Sequence, residues 1–213
     1  MNTLIVTGGT IDEKFLKKYL SENKFDKLIA VDKGLEILSK LQIKPNYIIG
    51  DFDSVNCDVL EQYKNIEIPI TYLKPEKDFT DTHMAIKLAN EIGSKNITII
   101  GAIGTRIDHS LANIHVLKET LDNNVQAKLV NENNEIMLIN KETVIKKNGN
   151  FKYVSIIPLT SKVTGVTLRG FKYLLENATL NIGESIGVSN EQVEDKATIE
   201  IKEGIAILIF SKD

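Results

Sequence analysis

The chain has 213 residues and a formal net charge of -3, with 42% hydrophobic and 26% charged residues. That is the composition of a globular protein of one or two domains, and its mild acidity gives no electrostatic reason to expect nucleic acid or an anionic membrane as partner. One cysteine, Cys57, excludes an intrachain disulfide and a Cys-rich zinc site, and suits the reducing cytoplasm.

The first apolar run, Leu4-Ile5-Val6, stops at Gly8-Gly9 with no basic stretch before it. It reads as a strand over residues 3–7 rather than a signal peptide, and no apolar stretch is long enough to span a bilayer. Gly8-Gly9-Thr10 reads as a tight turn that can bring a phosphate close to the backbone at a helix N-terminus. The spacing of Phe15, Leu16, Tyr19 and Leu20 predicts an amphipathic helix. A second strand over 27–31 ends at Asp32, at the position where nucleotide-binding folds place an acidic residue for ribose hydroxyls. A helix cap is the other reading of Asp32. Leu35, Ile37, Leu38 and Leu41 predict another helix, closed by Pro45.

A short apolar strand over 46–49 leads into Gly50-Asp51-Phe52-Asp53-Ser54. Read as extended backbone, this stretch points Asp51 and Asp53 to one side. Two such charges about 4 Å apart repel by roughly 4 kcal/mol at an effective dielectric of ~20. Mg²⁺ relieves that repulsion, because it takes one or two carboxylates and completes its shell with waters and substrate phosphates. The alternative is a solvated loop in which Asp53 or Ser54 caps the next helix.

Residues 66–73 read as a β stretch broken by Pro69. A helix follows, carrying Met84, Ala85, Leu88, Ala89 and Ile92 inward. Asp78 and Asp81 form a second acidic pair at its start, with Asp78 read as the N-cap and Asp81 in the first turn. Residues 96–101 read as a strand and 104–109 as a loop. Leu111, Ile114, Leu117 and Leu121 mark one face of the next helix, and 125–130 read as a strand. Arg106 in that loop offers a planar fork to phosphate oxygens, and His109 a hydrogen bond to phosphate or base. His83, His109 and His115 lack the spacing of a helical zinc motif.

Strand–helix alternation over residues 1–134 predicts an α/β domain with a mostly parallel sheet. From 135 to 213 the helical period is gone and short strands follow at 136–139, 143–145, 153–158, 163–168, 197–201 and 205–210. They predict a small all-β sandwich domain, too small to be an ample core by itself.

In the order GDFDS (50–54), EKDFTDTHMAI (76–86), GAIGTRIDHSLANI (101–114), GFKYLL (170–175) and GVSNE (187–191), the chain resembles the thiamine pyrophosphokinase family over nearly its whole length. The resemblance implies a catalytic α/β domain that takes ATP and Mg²⁺, a β-sandwich that takes thiamine, and a homodimer. It implies transfer of the terminal pyrophosphoryl group of ATP to the thiamine hydroxyl, giving thiamine diphosphate and AMP. Asp51, Asp53, Asp78 and Asp81 match the family's catalytic acidic positions, with Asp51, Asp53 and Asp78 as metal ligands. Gly8, Asp32, Arg106, His109 and Asn113 are carried over to ATP. Asp108, Tyr173, Ser189 and Asn190 are carried over to thiamine. Many relatives have Trp where this chain has Tyr173, and Tyr stacks with less area.

Two other classes stay open on the residues alone. A Mg²⁺-dependent phosphohydrolase would use D-F-D-S after a strand as an aspartyl-phosphate nucleophile motif, and a non-catalytic protein would only bind nucleotide or thiamine.

Overall fold

Fivefold alternation of apolar strands and amphipathic helices builds the first unit of the chain. The computed structural model describes residues 1–213 apart from Asn65, Ile66, Pro75 and Lys77, and falls into two compact units, Met1–Glu132 and Asn133–Asp213. Ile66, the start of the expected β stretch, and Pro75 and Lys77, which precede the acidic helix in sequence, lie outside the described residues.

In the first unit, β1 (Asn2–Val6), β2 (Lys27–Val31), β3 (Tyr47–Gly50), β4 (Ile70–Tyr72), β5 (Asn96–Ile100) and β6 (Gln126–Val130) pair in the order β4-β3-β2-β1-β5-β6. All five pairings are parallel. The connecting helices are α1 (Glu13–Glu22), α2 (Gly34–Lys40), α3 (Cys57–Lys64), α4 (Asp81–Glu91) and α5 (Ile107–Asp122). Leu4, Ile5, Val6, Ile29, Ala30, Ile48, Ile97 and Ile99 are buried, as expected of parallel strands covered on both faces. The sheet order reverses direction between β1 and β5. The crevice at the carboxyl ends of the strands beside such a reversal is where open α/β sheets bind ligands.

The second unit is antiparallel. Strands β7 (Asn134–Ile139), β13 (Ala206–Ser211) and β9 (Tyr153–Pro158) pair in that order. Facing them is a sheet of β11 (Leu175–Asn181), β10 (Lys162–Arg169), β12 (Lys196–Glu200) and β8 (Thr143–Lys146). Val154, Ile156, Leu208 and Phe210 of the first set pack with Val163, Val166, Leu168, Leu180 and Ile199 of the second. The unit is the β-sandwich that the run of short strands predicts.

Two elements lie outside the sequence reading, and one helix face is corrected. Helix α3 follows the acidic motif. Asn56 starts it by accepting from Asp58 N at 2.8 Å, and Tyr63 is buried with Val59 and Leu60 packed beside it. Strand β11 has the sequence LENATLN, which lacks β-branched and aromatic residues apart from one Thr. It is a strand because β10 presents an edge to it, with bulges between Val163 and Leu168 absorbing the mismatch. On α5, Leu117 is buried but Leu111 is 53% exposed, so the apolar stripe is shorter than its spacing predicts.

Candidate active site

The crevice between β1 and β5 is built by close backbone approach. A Cβ on Gly9 would lie 2.0 Å from the carbonyl oxygen of Gly101, so the two loops touch only because residue 9 has no side chain. The loop after β5 is pinned from α5. Asn113, buried, donates through Nδ2 to Ala102 O at 2.8 Å. Ser110 Oγ accepts from Gly104 N and reaches Arg106 O, each at 3.1 Å. Asn113 therefore shapes the loop from behind, and Gly8 lies exposed on the opposite rim.

At the ends of β2 and β3 the acidic loop is tightly set. Asp32 has φ 46 and Phe52 φ 60, both in the left-handed region that non-glycine residues seldom occupy. Asp32 turns its carboxylate across to β3. A Cβ on Gly50 would lie 2.0 Å from Asp32 Oδ1, and Phe52 N approaches the same oxygen at 3.5 Å. Gly50 is thus required for room, not for a turn. Asp32 does not cap α2, whose N-cap is Lys33.

The left-handed Phe52 changes the geometry of the first acidic pair. Residues 51–53 form a turn, with Asp53 N approaching Asp51 Oδ1 at 3.3 Å, instead of an extended stretch with alternating side chains. Phe52 is buried, its ring edge-on to Tyr72 at 5.3 Å between centroids. Burying that ring fixes the turn and leaves Asp53 in solvent. Two left-handed residues side by side at a strand-end loop mark a site where packing holds strain in place.

The second pair is placed by α4. Its N-cap is Thr80, whose hydroxyl accepts from His83 N at 3.2 Å, so Asp78 is not the cap. The hydroxyl sits one residue before the first helical turn, where the cap oxygen must be, and Asp78 is two residues too early. Asp81 is the first helical residue, as expected, and its charge suits the helix N-terminus. Behind it, His83 Nε2 lies 2.7 Å from Glu119 Oε2, tying α4 to α5. Phe79 packs against the His83 ring at 4.7 Å and under Lys87 Nζ at 3.9 Å.

Residues 107–109 are helical, not loop, and form the first turn of α5. Arg106 grips Asp108 twice, Nη2 to Oδ2 at 2.6 Å and Nε to Oδ1 at 3.2 Å. That hydrogen-bonded guanidinium, with the His109 backbone N–H second, holds the Asp108 carboxyl at about 2 against its usual 3.8. His109 is exposed beside the pair.

In the second unit, Tyr173, Ser189 and Asn190 come together. Asn190 is buried, and its amide binds the main chain of Tyr173, accepting from N at 3.0 Å and donating to O at 2.7 Å. The Tyr173 ring is 58% exposed, with Lys172 Nζ 5.5 Å from its centroid. Ser189 has φ 59 and is held by its N–H to Ser155 Oγ at 3.0 Å. Sequence reading assigned no role to Ser155, which carries no motif, or to Lys172, which lies within GFKYLL beside Tyr173.

Among the described residues, no group of three or more His, Cys, Asp or Glu side chains converges as a metal-ligand set. Asp51 and Asp53, two residues apart in one turn, present hard carboxylate oxygens near solvent. That donor set fits a cation which takes one or two carboxylates and shares the rest of its shell with water and a phosphate ligand. It does not fit an all-protein cage.

Residues 16–129 match the family described as "Thiamin pyrophosphokinase, catalytic domain", and residues 142–206 match "Thiamin pyrophosphokinase, vitamin B1 binding domain". The chain is similar to the thiamine pyrophosphokinase of Bacillus subtilis, 34% identical over 186 residues, with 87% of each chain covered. The crystal structure of that Bacillus subtilis protein superposes with a TM-score of 0.90 at 32% identity, covering 100% of both chains. The thiamin pyrophosphokinase of Geobacillus thermodenitrificans superposes at 0.88 and 29% identity, covering 100% of this chain and 98% of the other.

Proposed function

This chain belongs to the thiamin pyrophosphokinase family, and on that premise we propose that it transfers the pyrophosphoryl group of ATP to the hydroxyl of thiamine. The products are thiamine diphosphate and AMP, and the reaction requires Mg²⁺. The single observation that carries this reading is the acidic turn at the end of β3. Its two carboxylates lie at the carboxyl edge of the same parallel sheet whose order reverses between β1 and β5, where Gly9 and Gly101 approach without side chains.

When bound, Mg²⁺ neutralises charge on the phosphate oxygens. Asp51, Asp53 and Asp78 are the residues that would hold it. Gly8 and its neighbours admit the polyphosphate to the backbone at the end of β1, while Asp32 lies where the ribose hydroxyls fall. Arg106 and His109 face the phosphate charge from the rim of α5, and Asn113 keeps their loop in shape. The thiamine hydroxyl oxygen forms the new bond to the β-phosphorus. The bond from that phosphorus to the α–β bridging oxygen breaks, and the electron pair leaves on AMP. The hydroxyl proton passes to one of Asp78 and Asp81. Tyr173 offers its exposed ring to thiamine, with Ser189 beside it, and Asp108 adds negative charge that suits a cationic thiazolium.

The first domain, residues 1–134, takes ATP and Mg²⁺ in this reading. The second, 135–213, takes thiamine. The enzyme works as a homodimer in the cytoplasm, where the exposed Cys57 stays a free thiol. No helix among the described residues is long and apolar enough to cross a membrane.

One incubation tests the reaction. The protein with ATP, Mg²⁺ and thiamine should yield AMP and thiamine diphosphate in equal amounts. Free phosphate without thiamine diphosphate would instead make it a hydrolase, and absence of turnover a binding protein. Light scattering should give twice the chain mass of 23.8 kDa.

A further inference from the structure

We infer that Asn190 is a positioning residue: it sets the exposed ring of Tyr173 by hydrogen-bonding the Tyr173 main chain, and does not itself touch thiamine. The inference rests on the thiamine reading above. Asn190 is only 6% exposed, although it belongs to the motif expected to contact ligand. Its Oδ1 accepts from Tyr173 N at 3.0 Å and from Glu191 N at 2.9 Å. An amide carbonyl has two lone pairs, and these two donors use both. Nδ2 donates to Tyr173 O at 2.7 Å. The partners also dictate the amide's orientation, because two N–H groups face one atom and a carbonyl faces the other.

The base of this clip is rigid. Asn190 and Val154 exchange main-chain hydrogen bonds of 2.8 and 3.0 Å, which fastens residue 190 to β9. Ser189, just before it, is held at φ 59 with its N–H on Ser155 Oγ. A second tie runs parallel to the first. Lys172 N donates to Glu191 O at 2.9 Å, and Lys172 Nζ meets Glu191 Oε1 at 2.9 Å. Tyr173 precedes β11 and so lies outside that strand's ladder. The Asn190 side chain takes the place of a strand partner, bonding both the N–H and the C=O of one residue. The result is an aromatic ring 58% exposed on a main chain that cannot wander. Fixing such a ring in advance removes the ordering cost that a ligand would otherwise meet.

A double-mutant cycle on the full-length enzyme tests the assignment. Wild-type turnover of thiamine comes first, and its absence would defeat the thiamine reading rather than this inference. Asn190→Ala should raise the thiamine KM by about two- to tenfold, the size of one lost side-chain preorganisation. The ATP KM should not move. In a Tyr173→Ala background, Asn190→Ala should add nothing, because there is no ring left to position. A double mutant whose KM rise is the product of the two single rises would overturn the inference in favour of direct contact. So would an unchanged thiamine KM in a folded Asn190→Ala protein. If Asn190→Ala does not fold, Asn190→Asp carries the same cycle: it keeps the volume and both acceptor roles but loses the donor to Tyr173 O. Hydrogen exchange supplies a readout that needs no ligand. The Tyr173 amide should be protected in the wild type and should exchange faster in Asn190→Ala, with β13 amides unchanged; equal protection of Tyr173 in both proteins would also overturn the inference.

Discussion

Gly50→Ala is the smallest change that reaches the heart of the acidic loop. The added Cβ would lie 2.0 Å from Asp32 Oδ1 and 3.3 Å from Asp32 N, where ordinary contact begins at 3.4 Å. The carboxylate must therefore retreat by 3.4 − 2.0 = 1.4 Å. Asp32 has little freedom to do so, since its backbone is left-handed and its N–H is bonded to Ile49 O at 3.1 Å. Overpacking of this kind costs about 1–3 kcal/mol. Displacing Asp32 also removes the oxygen facing Phe52 N, so the turn carrying Asp51 and Asp53 shifts with it. A misplacement of about 1 Å at reacting groups can lower turnover roughly 100-fold. Urea denaturation should show the stability loss, and steady-state assay with ATP, Mg²⁺ and thiamine the loss in kcat. Adding Asp32→Gly should restore most of the stability, because it removes the clashing carboxylate and puts glycine at φ 46. Wild-type stability in Gly50→Ala, or no recovery in the double mutant, would refute the steric account.

Three further outcomes follow from the same geometry. Asp51→Asn and Asp53→Asn should each abolish Mg²⁺-dependent turnover while leaving the melting temperature without Mg²⁺ unchanged or higher, because one of two neighbouring like charges is gone; near-normal turnover in both would remove the metal assignment. Asp108, held at about 2 against a usual 3.8, contributes stability that is present above pH ~4 and lost as the pH falls toward 2. Asp108→Asn should therefore flatten the acid limb of the stability curve in that window and nowhere else, as read by thermal melts from pH 5 to 2. Thr80→Ala should cost about 1 kcal/mol of stability by uncapping α4, and Thr80→Ser should cost little, both measured in urea.

The layer architecture was legible in the sequence because it is written in periodicity. Residues 1–130 alternate apolar runs with 3.6-period stretches, and beyond them short apolar runs are punctuated by Gly, Asn and Ser, so each element announces itself locally. The acidic residues were legible for a similar reason: Asp51, Asp53, Asp78 and Asp81 stand at strand ends and a helix start, which turn and cap chemistry mark out. What the sequence could not carry is everything decided by a residue distant in the chain. Leu175–Asn181 is a strand because β10 offers it an edge, not because LENATLN prefers one. Gly50 is glycine because Asp32, eighteen positions earlier, turns its carboxylate into the space a Cβ would need. Phe52 is left-handed because its ring is buried edge-on to Tyr72, and that alone converts an extended D-x-D into a turn. Asn190 reads as a ligand contact in its motif, yet its amide closes on a main chain seventeen residues away. Local patterning selects elements, since backbone hydrogen bonding and side-chain period act over a few residues. The aim of each polar group is set by packing between elements, where a contact under 3 Å depends on two segments that the sequence alone does not bring together.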